Sequence, residues 1–264
     1  MRQGFGWLVA GVMVAGMLAG CKPNPPKEQV AKSARPAAAR SSVPLDPATL
    51  GAVSGTVSFI GKAPERLRID MSQDPVCSML GGDNFAEQYV VKDGRLANVF
   101  IYVKSGPAAA MSAPAATTAP VVLDQVGCRY VPHVVGVMQG GAVEFRNSDG
   151  TMHNIHTLPT AGGNREIDVS EAPRSAPQVR TFAAPELMMP VRCNNHPWMN
   201  AFINVSATPF FAVTDVKGHF EIKGLPAGTY TLGAVHEKMG EQTLTVTVKP
   251  HETETADFRY SLKK

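Results

Sequence analysis

The stretch Val191-Arg192-Cys193-Asn194-Asn195-His196-Pro197-Trp198-Met199 decides how this chain is read. It sets a thiolate, an imidazole and a thioether at C-x-x-H-x-x-M spacing, between the apolar run Leu187-Met188-Met189-Pro190-Val191 and Ala201-Phe202-Ile203-Asn204-Val205. Both flanks read as strands, so one short loop offers three donors and a sheet holds its ends. A lone buried thiol or methionine is ordinary core packing, and the fixed spacing with His196 is what points to a metal. Thiolate, imidazole and a weak thioether are the ligand types of a type 1 copper centre, which requires one more imidazole. The segment Asn147-Ser148-Asp149-Gly150-Thr151-Met152-His153-Asn154-Ile155-His156 offers two, His153 and His156.

Outward from the loop the chain alternates short apolar strands with turn residues and shows almost no helical period. Strands are expected at 54–60, 97–103 and 178–182. Val134 to Met138, the turn Gln139-Gly140-Gly141 and Ala142 to Phe145 read as a hairpin. So do Phe210 to Thr214 and His219 to Ile222 around Asp215-Val216-Lys217-Gly218. The tail after residue 208 has about five strands, fewer than an independent sandwich of about a hundred residues needs. It is therefore expected to borrow the strands at 54–60 and 97–103. The Pro/Ala-rich stretch from Pro107 to Pro120 reads as an inserted surface loop.

At the N-terminus, Arg2, an apolar stretch and Leu18-Ala19-Gly20-Cys21 form an export signal. Leu-Ala-Gly-Cys resembles the lipobox of bacterial lipoproteins, which implies acylation of Cys21 and anchorage by lipid. Lys22 stands where inner-membrane retention would call for aspartate, so a periplasm-facing outer-membrane site is favoured, with the inner membrane as the alternative. Residues 21–50 are a Pro, Ala and Ser tether. With Cys21 assigned to lipid and Cys193 to metal, Cys77 and Cys128 remain as a disulfide pair in an oxidising compartment. The alternative is two buried free thiols.

The two ligand blocks together resemble the cupredoxin family, closest to its amicyanin branch with the short C-x-x-H-P-aromatic-M loop. That resemblance covers roughly residues 130–205. It implies His153, Cys193 and His196 as equatorial ligands of one type 1 copper ion and Met199 as the axial one. The asparagine after the first histidine selects His153 over His156 and gives Asn154 the role of pinning the ligand loop. In this family the second histidine reaches the surface through an apolar patch, which makes Pro197 and Trp198 the expected docking surface. The alternative places Trp198 in the core. In the tail, Asp215-x-x-Gly218-x-Phe220 and Leu225-Pro226-x-Gly228-x-Tyr230-x-Leu232 resemble the carboxypeptidase regulatory-like β-sandwich.

The expected fold is all-β, a cupredoxin-like Greek-key sandwich joined to, or inserted in, a second carboxypeptidase regulatory-like β-sandwich. The expected segments are a signal peptide (1–20), a tether (21–50), the copper domain (51–207) and the second sandwich (208–264). No G-x-S-x-G, H-E-x-x-H or phosphate-binding glycine loop is present, so no enzyme is expected. A net charge of +3 over 264 residues with no basic run gives no reason to expect nucleic acid. The expected function is one-electron transfer with a periplasmic redox protein such as a c-type cytochrome or a dehydrogenase. The alternatives are copper delivery without redox traffic and an envelope interaction module.

Overall fold

The computed structural model describes residues 45–80, 82, 84–114 and 119–262. The expected signal peptide, the Cys21 lipidation site and the tether up to residue 44 lie outside them. Among the described residues no helix is long and apolar enough to cross a membrane. The described residues are all-β, with two α-helices of five and four residues and a 3-10 turn at Pro47–Thr49.

Alternation in the strand Leu50–Phe59 buries Val53, Gly55, Val57 and Phe59 on one face. This strand pairs antiparallel with His219–Pro226 on one side. On the other it pairs parallel with Thr253–Thr255 and then Phe258–Tyr260. A second sheet runs in the order Phe211–Val213, Phe100–Ser105, Gly228–His236, Gly240–Val248. Val53, Val57, Phe220, Ile222 and Phe258 share one core with Ile101, Val103, Leu232 and Ala234. Strands from both ends of the described chain therefore build this sandwich, and residue 208 marks only one of its boundaries. The other lies between Ser105 and Val121.

Between those boundaries two more sheets form. One has the order Ile167–Glu171, His153–Thr157, Glu186–Arg192, Asn200–Ser206, Val134–Met138, and its last pair is parallel. The other has the order Gln178–Thr181, Ala142–Asn147, Val121–Gln125, Tyr130–Val131. Leu123, Val143, Phe145, Ile155, Val191 and Ile203 fill the core they enclose, and a side chain such as Phe145 contributes about 3 kcal/mol at most by burial. The two cores meet along a seam of Phe100, Val134 and Val235. There His133 Nε2 lies 2.6 Å from Glu237 Oε1, and its Nδ1 lies 3.2 Å from the Asn200 carbonyl.

Two expected hairpins are not hairpins. Val134–Met138 pairs with Asn200–Ser206, whereas Ala142–Asn147 pairs with Val121–Gln125 and Gln178–Thr181 in the opposite sheet. The turn at Gly140, with φ 83°, carries the chain across the edge of the sandwich. Its N–H donates to the Phe182 carbonyl and the Gln139 N–H to the Ser206 carbonyl, so both sheets hold it. Likewise Phe211–Val213 pairs with Phe100–Ser105, while His219–Pro226 pairs with Leu50–Phe59. The Pro/Ala-rich stretch is not all surface either, since Ala110 and Ala113 are buried in the first core.

His236 carries a pH dependence. It is buried between Tyr89 and Tyr260. Its Nδ1 accepts from the Lys238 N–H at 3.2 Å, and its Nε2 has no hydrogen-bond partner among the described residues. Burial pushes its pKa down to about 4, against the opposing charge of Glu237. An unfolded histidine takes up its proton near pH 6.5, so the stabilisation is present above that value and drains away as the pH falls towards 4. By pH 5 the loss amounts to about 2 kcal/mol. His236→Phe, which keeps the ring between the tyrosines, should flatten the fall in melting temperature between pH 7 and pH 5. An unchanged slope would show that other groups carry it.

Candidate metal centre

Local structure brings the donors together. The strands Glu186–Arg192 and Asn200–Ser206 are antiparallel, with Val191 opposite Ala201 and Arg192 opposite Asn200, so the intervening loop is short and fixed at both ends. Within it the Cys193 N–H donates to the Met199 carbonyl at 3.3 Å and the Met199 N–H to the His196 carbonyl at 2.9 Å. On the other side, Arg192 stands opposite His156 and Val191 opposite Thr157. The loop consequently closes over the start of the strand His153–Thr157.

His153 and His156 lie three apart on a strand and so face opposite sides. His153 is fully buried beside the loop. His156 faces outward, with Nδ1 2.9 Å from Asn194 Oδ1 and Nε2 2.8 Å from Glu166 Oε1. One donor atom from each of His153, Cys193 and His196 lies within 4.8 Å of the other two, and all three residues are buried. The two Nδ1 atoms face each other at 2.9 Å, and Cys193 Sγ is 3.5 Å from His196 Nδ1. Met199 is buried in the same core cluster.

Each imidazole is held from behind by a carboxylate. His153 Nε2 donates to Asp149 Oδ2 at 2.9 Å, and His196 Nε2 to Asp74 Oδ2 at 3.1 Å. Such outer partners fix the tautomer and turn the inner nitrogen towards a metal. The electrostatics agree. Burial alone would raise the Cys193 thiol, but hydrogen bonds from His153, His196 and the backbone N–H groups of Asn195 and Asn154 bring it down to about 7. Burial works against a His153 cation, yet Asp149 and Cys193 raise it to about 9. Asp74 is held down to about 2: burial opposes this, and the Cys77 N–H, His196, Thr151 and the Val76 N–H outweigh it. Without an ion the pocket favours a thiolate beside a protonated imidazole, and a bound metal cation would take the place of that imidazole proton.

The remaining expected site residues fall around this centre. Asn154 Oδ1 accepts from the Asn194 N–H at 3.4 Å, and its Nδ2 donates to Asp168 at 2.8 Å. Cys77 and Cys128 form a disulfide. Pro197 is exposed, and Trp198 is half-buried against the second core with its ring 5.1 Å from that of His196. His196 itself is only 3% exposed, because Asp74 and Cys77 cover its outer edge. Sequence reasoning missed both carboxylates. Asp149 stood inside the quoted ligand block, and its i, i+4 spacing to His153 was the available signal, whereas Asp74 lies 122 residues from His196 and gave none.

Residues 192–261 match the carboxypeptidase regulatory-like domain. The match begins at Arg192, the last strand residue before the ligand loop, and continues through the tail strands, so it crosses from the sandwich that holds the ligand loop into the one built on Leu50–Phe59. No curated protein matches the chain. Among solved structures, the chain is similar to a copper-containing nitrite reductase from Thermus scotoductus (24% identity, 35% of this chain, 24% of that one, TM-score 0.31). It is also similar to a purple cupredoxin from Nitrosopumilus maritimus (18% identity, 33% of this chain, 99% of that one, TM-score 0.28). An oxidised amicyanin variant is a third (18% identity, 40% of this chain, 98% of that one, TM-score 0.30). The nitrite reductase is matched over only about a quarter of its length.

Proposed function

We propose that the chain is a type 1 copper protein that passes single electrons between redox partners in the bacterial envelope, tethered there through acylated Cys21. The observation that carries this reading is the convergence of His153 Nδ1, Cys193 Sγ and His196 Nδ1 in a buried pocket with Met199 in the same cluster. A soft thiolate with two imidazoles and a thioether suits copper, which would supply a one-electron Cu(II)/Cu(I) couple with little change in coordination. Cys193, His153, His196 and Met199 would hold it.

The chain's own residues then do the rest. The Asn195 and Asn154 N–H groups withdraw charge from the Cys193 sulfur, which tunes a potential. Asn154 keeps the loop closed on the strand His153–Thr157. Burial of the donors, none more than 4% exposed, limits the solvent that must reorganise when charge moves. Pro197, with Trp198 beside His196, offers a small apolar contact for a weak, transient encounter. A c-type cytochrome or a dehydrogenase fits that role.

Stopped-flow exchange with a reduced c-type cytochrome tests the reading. The expected result is rapid oxidation of the cytochrome by the copper-loaded protein, reversible over repeated cycles with copper retained. Release of copper to a chelator on each reduction would replace electron transfer by copper delivery.

A further inference from the structure

The Cys77–Cys128 disulfide, which spans 51 residues, stands against the ligand cluster without belonging to it. Cys77 Sγ lies 3.8 Å from His196 Nε2. Three hydrogen-bonded threads run from its backbone to the centre. The Cys77 N–H donates to Asp74 Oδ1 at 3.0 Å, and the other oxygen of that carboxylate accepts from His196. The Cys128 N–H donates to Asp149 Oδ2 at 2.8 Å, the same oxygen that accepts from His153. The Cys128 carbonyl accepts from Trp198 Nε1 at 3.0 Å, two residues beyond His196.

We propose that the Cys77–Cys128 disulfide is a positioning brace for the metal centre: it holds Asp74 and Asp149 on the outer nitrogens of both imidazoles and so keeps both Nδ1 atoms turned inward. The brace rests on the copper reading only for the identity of the ion. Neither half-cystine can act alone. Asp74 caps a helix of five residues, Pro75–Met79, too short to be stable by itself. Beyond the disulfide, Thr151 is a further side chain that ties Asp74 to the sandwich of the ligand residues, through a hydroxyl that donates to it at 3.1 Å. On the other side, Cys128 sits at φ 53° in a tight turn, and Asp149 takes both its N–H and that of Gly127. The covalent link makes one rigid frame of two carboxylates that approach the centre from different segments. Loss of such outer partners typically lowers metal affinity 10- to 100-fold.

The test uses metal-free, 15N-labelled protein and cobalt(II) as the probe ion. The wild type should show solvent-protected Nε2–H signals for His153 and His196. Cys77→Ser with Cys128→Ser should expose the His196 signal to exchange and weaken cobalt(II) binding 10- to 100-fold, while core amide signals stay in place. Asp74→Asn with Asp149→Asn, disulfide intact, should weaken it by a similar factor. If the brace acts through the carboxylates, all four substitutions together should cost no more than either pair. Additive losses, or protected signals and unchanged affinity in the serine protein, would overturn the proposal. Should the serine protein fail to fold, wild-type affinity in the asparagine protein would overturn it. A wild type that binds neither cobalt nor copper would sink the copper reading, and loss of the His196 protection in the serine protein would then still support the brace while its retention would overturn it.

Discussion

Replacing Gly55 by valine is expected to leave no folded protein. Gly55 faces the first core from the strand Leu50–Phe59, where that strand changes parallel partner from Thr253–Thr255 to Phe258–Tyr260. At the change the Ala256 N–H donates to the Ser54 carbonyl at 2.9 Å and the Thr56 N–H to Asp257 Oδ1 at 2.8 Å. These bonds draw the C-terminal chain over position 55. A Cβ there would meet the Ala256 carbonyl oxygen at 1.9 Å and its carbon at 2.6 Å. Both are backbone atoms held by the ladder, so the collision cannot be relieved by a rotamer change. Overpacking a core typically costs about 1–3 kcal/mol when side chains can yield, and here the backbone must, so more than about 4 kcal/mol is expected. Against a total stability on the order of 5–15 kcal/mol that is decisive. Circular dichroism and thermal melting of the variant test it. A melting temperature within a few degrees of the wild type would mean that the last strands do not lie where they are described.

Cys193→Ser should have the largest effect on the centre. The exchange is nearly isosteric, and the loop bonds from the Cys193 N–H to the Met199 carbonyl and from the Met199 N–H to the His196 carbonyl need no sulfur. Folding should therefore survive. What disappears is the one donor held near neutral pKa by four hydrogen bonds. A serine hydroxyl remains protonated at neutral pH and is a hard, poor ligand for copper. The expected result is loss of the intense visible band and a fall in copper affinity of at least about 100-fold, comparable with the upper end of losses from weaker, outer partners. Competition titration against a chelator measures it. Retention of both colour and affinity would remove Cys193 from the ligand set.

Much of the centre was legible because its determinants are local. The C-x-x-H-x-x-M loop lies between neighbouring antiparallel strands, as its apolar flanks implied, and the asparagine that singled out His153 over His156 does meet the loop, at the Asn194 N–H. Cys77 and Cys128 pair, as the cysteine count suggested. What could not be read depends on distant segments or on which sheet a strand joins. Alternation says which face of a strand is buried but not whose edge it meets. For that reason Gln139-Gly140-Gly141 read as a hairpin turn when it is a crossing between sheets. The alanines near residue 110 looked like surface filler because small residues carry no periodic signal, yet Ala110 is fully buried. His133 gave no hint that it would meet Glu237 across the seam, 104 residues away.

The most direct measurement is the visible absorption spectrum of the wild-type protein loaded with Cu(II), taken with its copper content. With His153, Cys193, His196 and Met199 as ligands, it should hold one copper per chain and show an intense thiolate-to-copper charge-transfer band that vanishes on reduction to Cu(I). A faint band at full copper occupancy, of the strength that imidazole and oxygen ligands alone produce, would contradict the account.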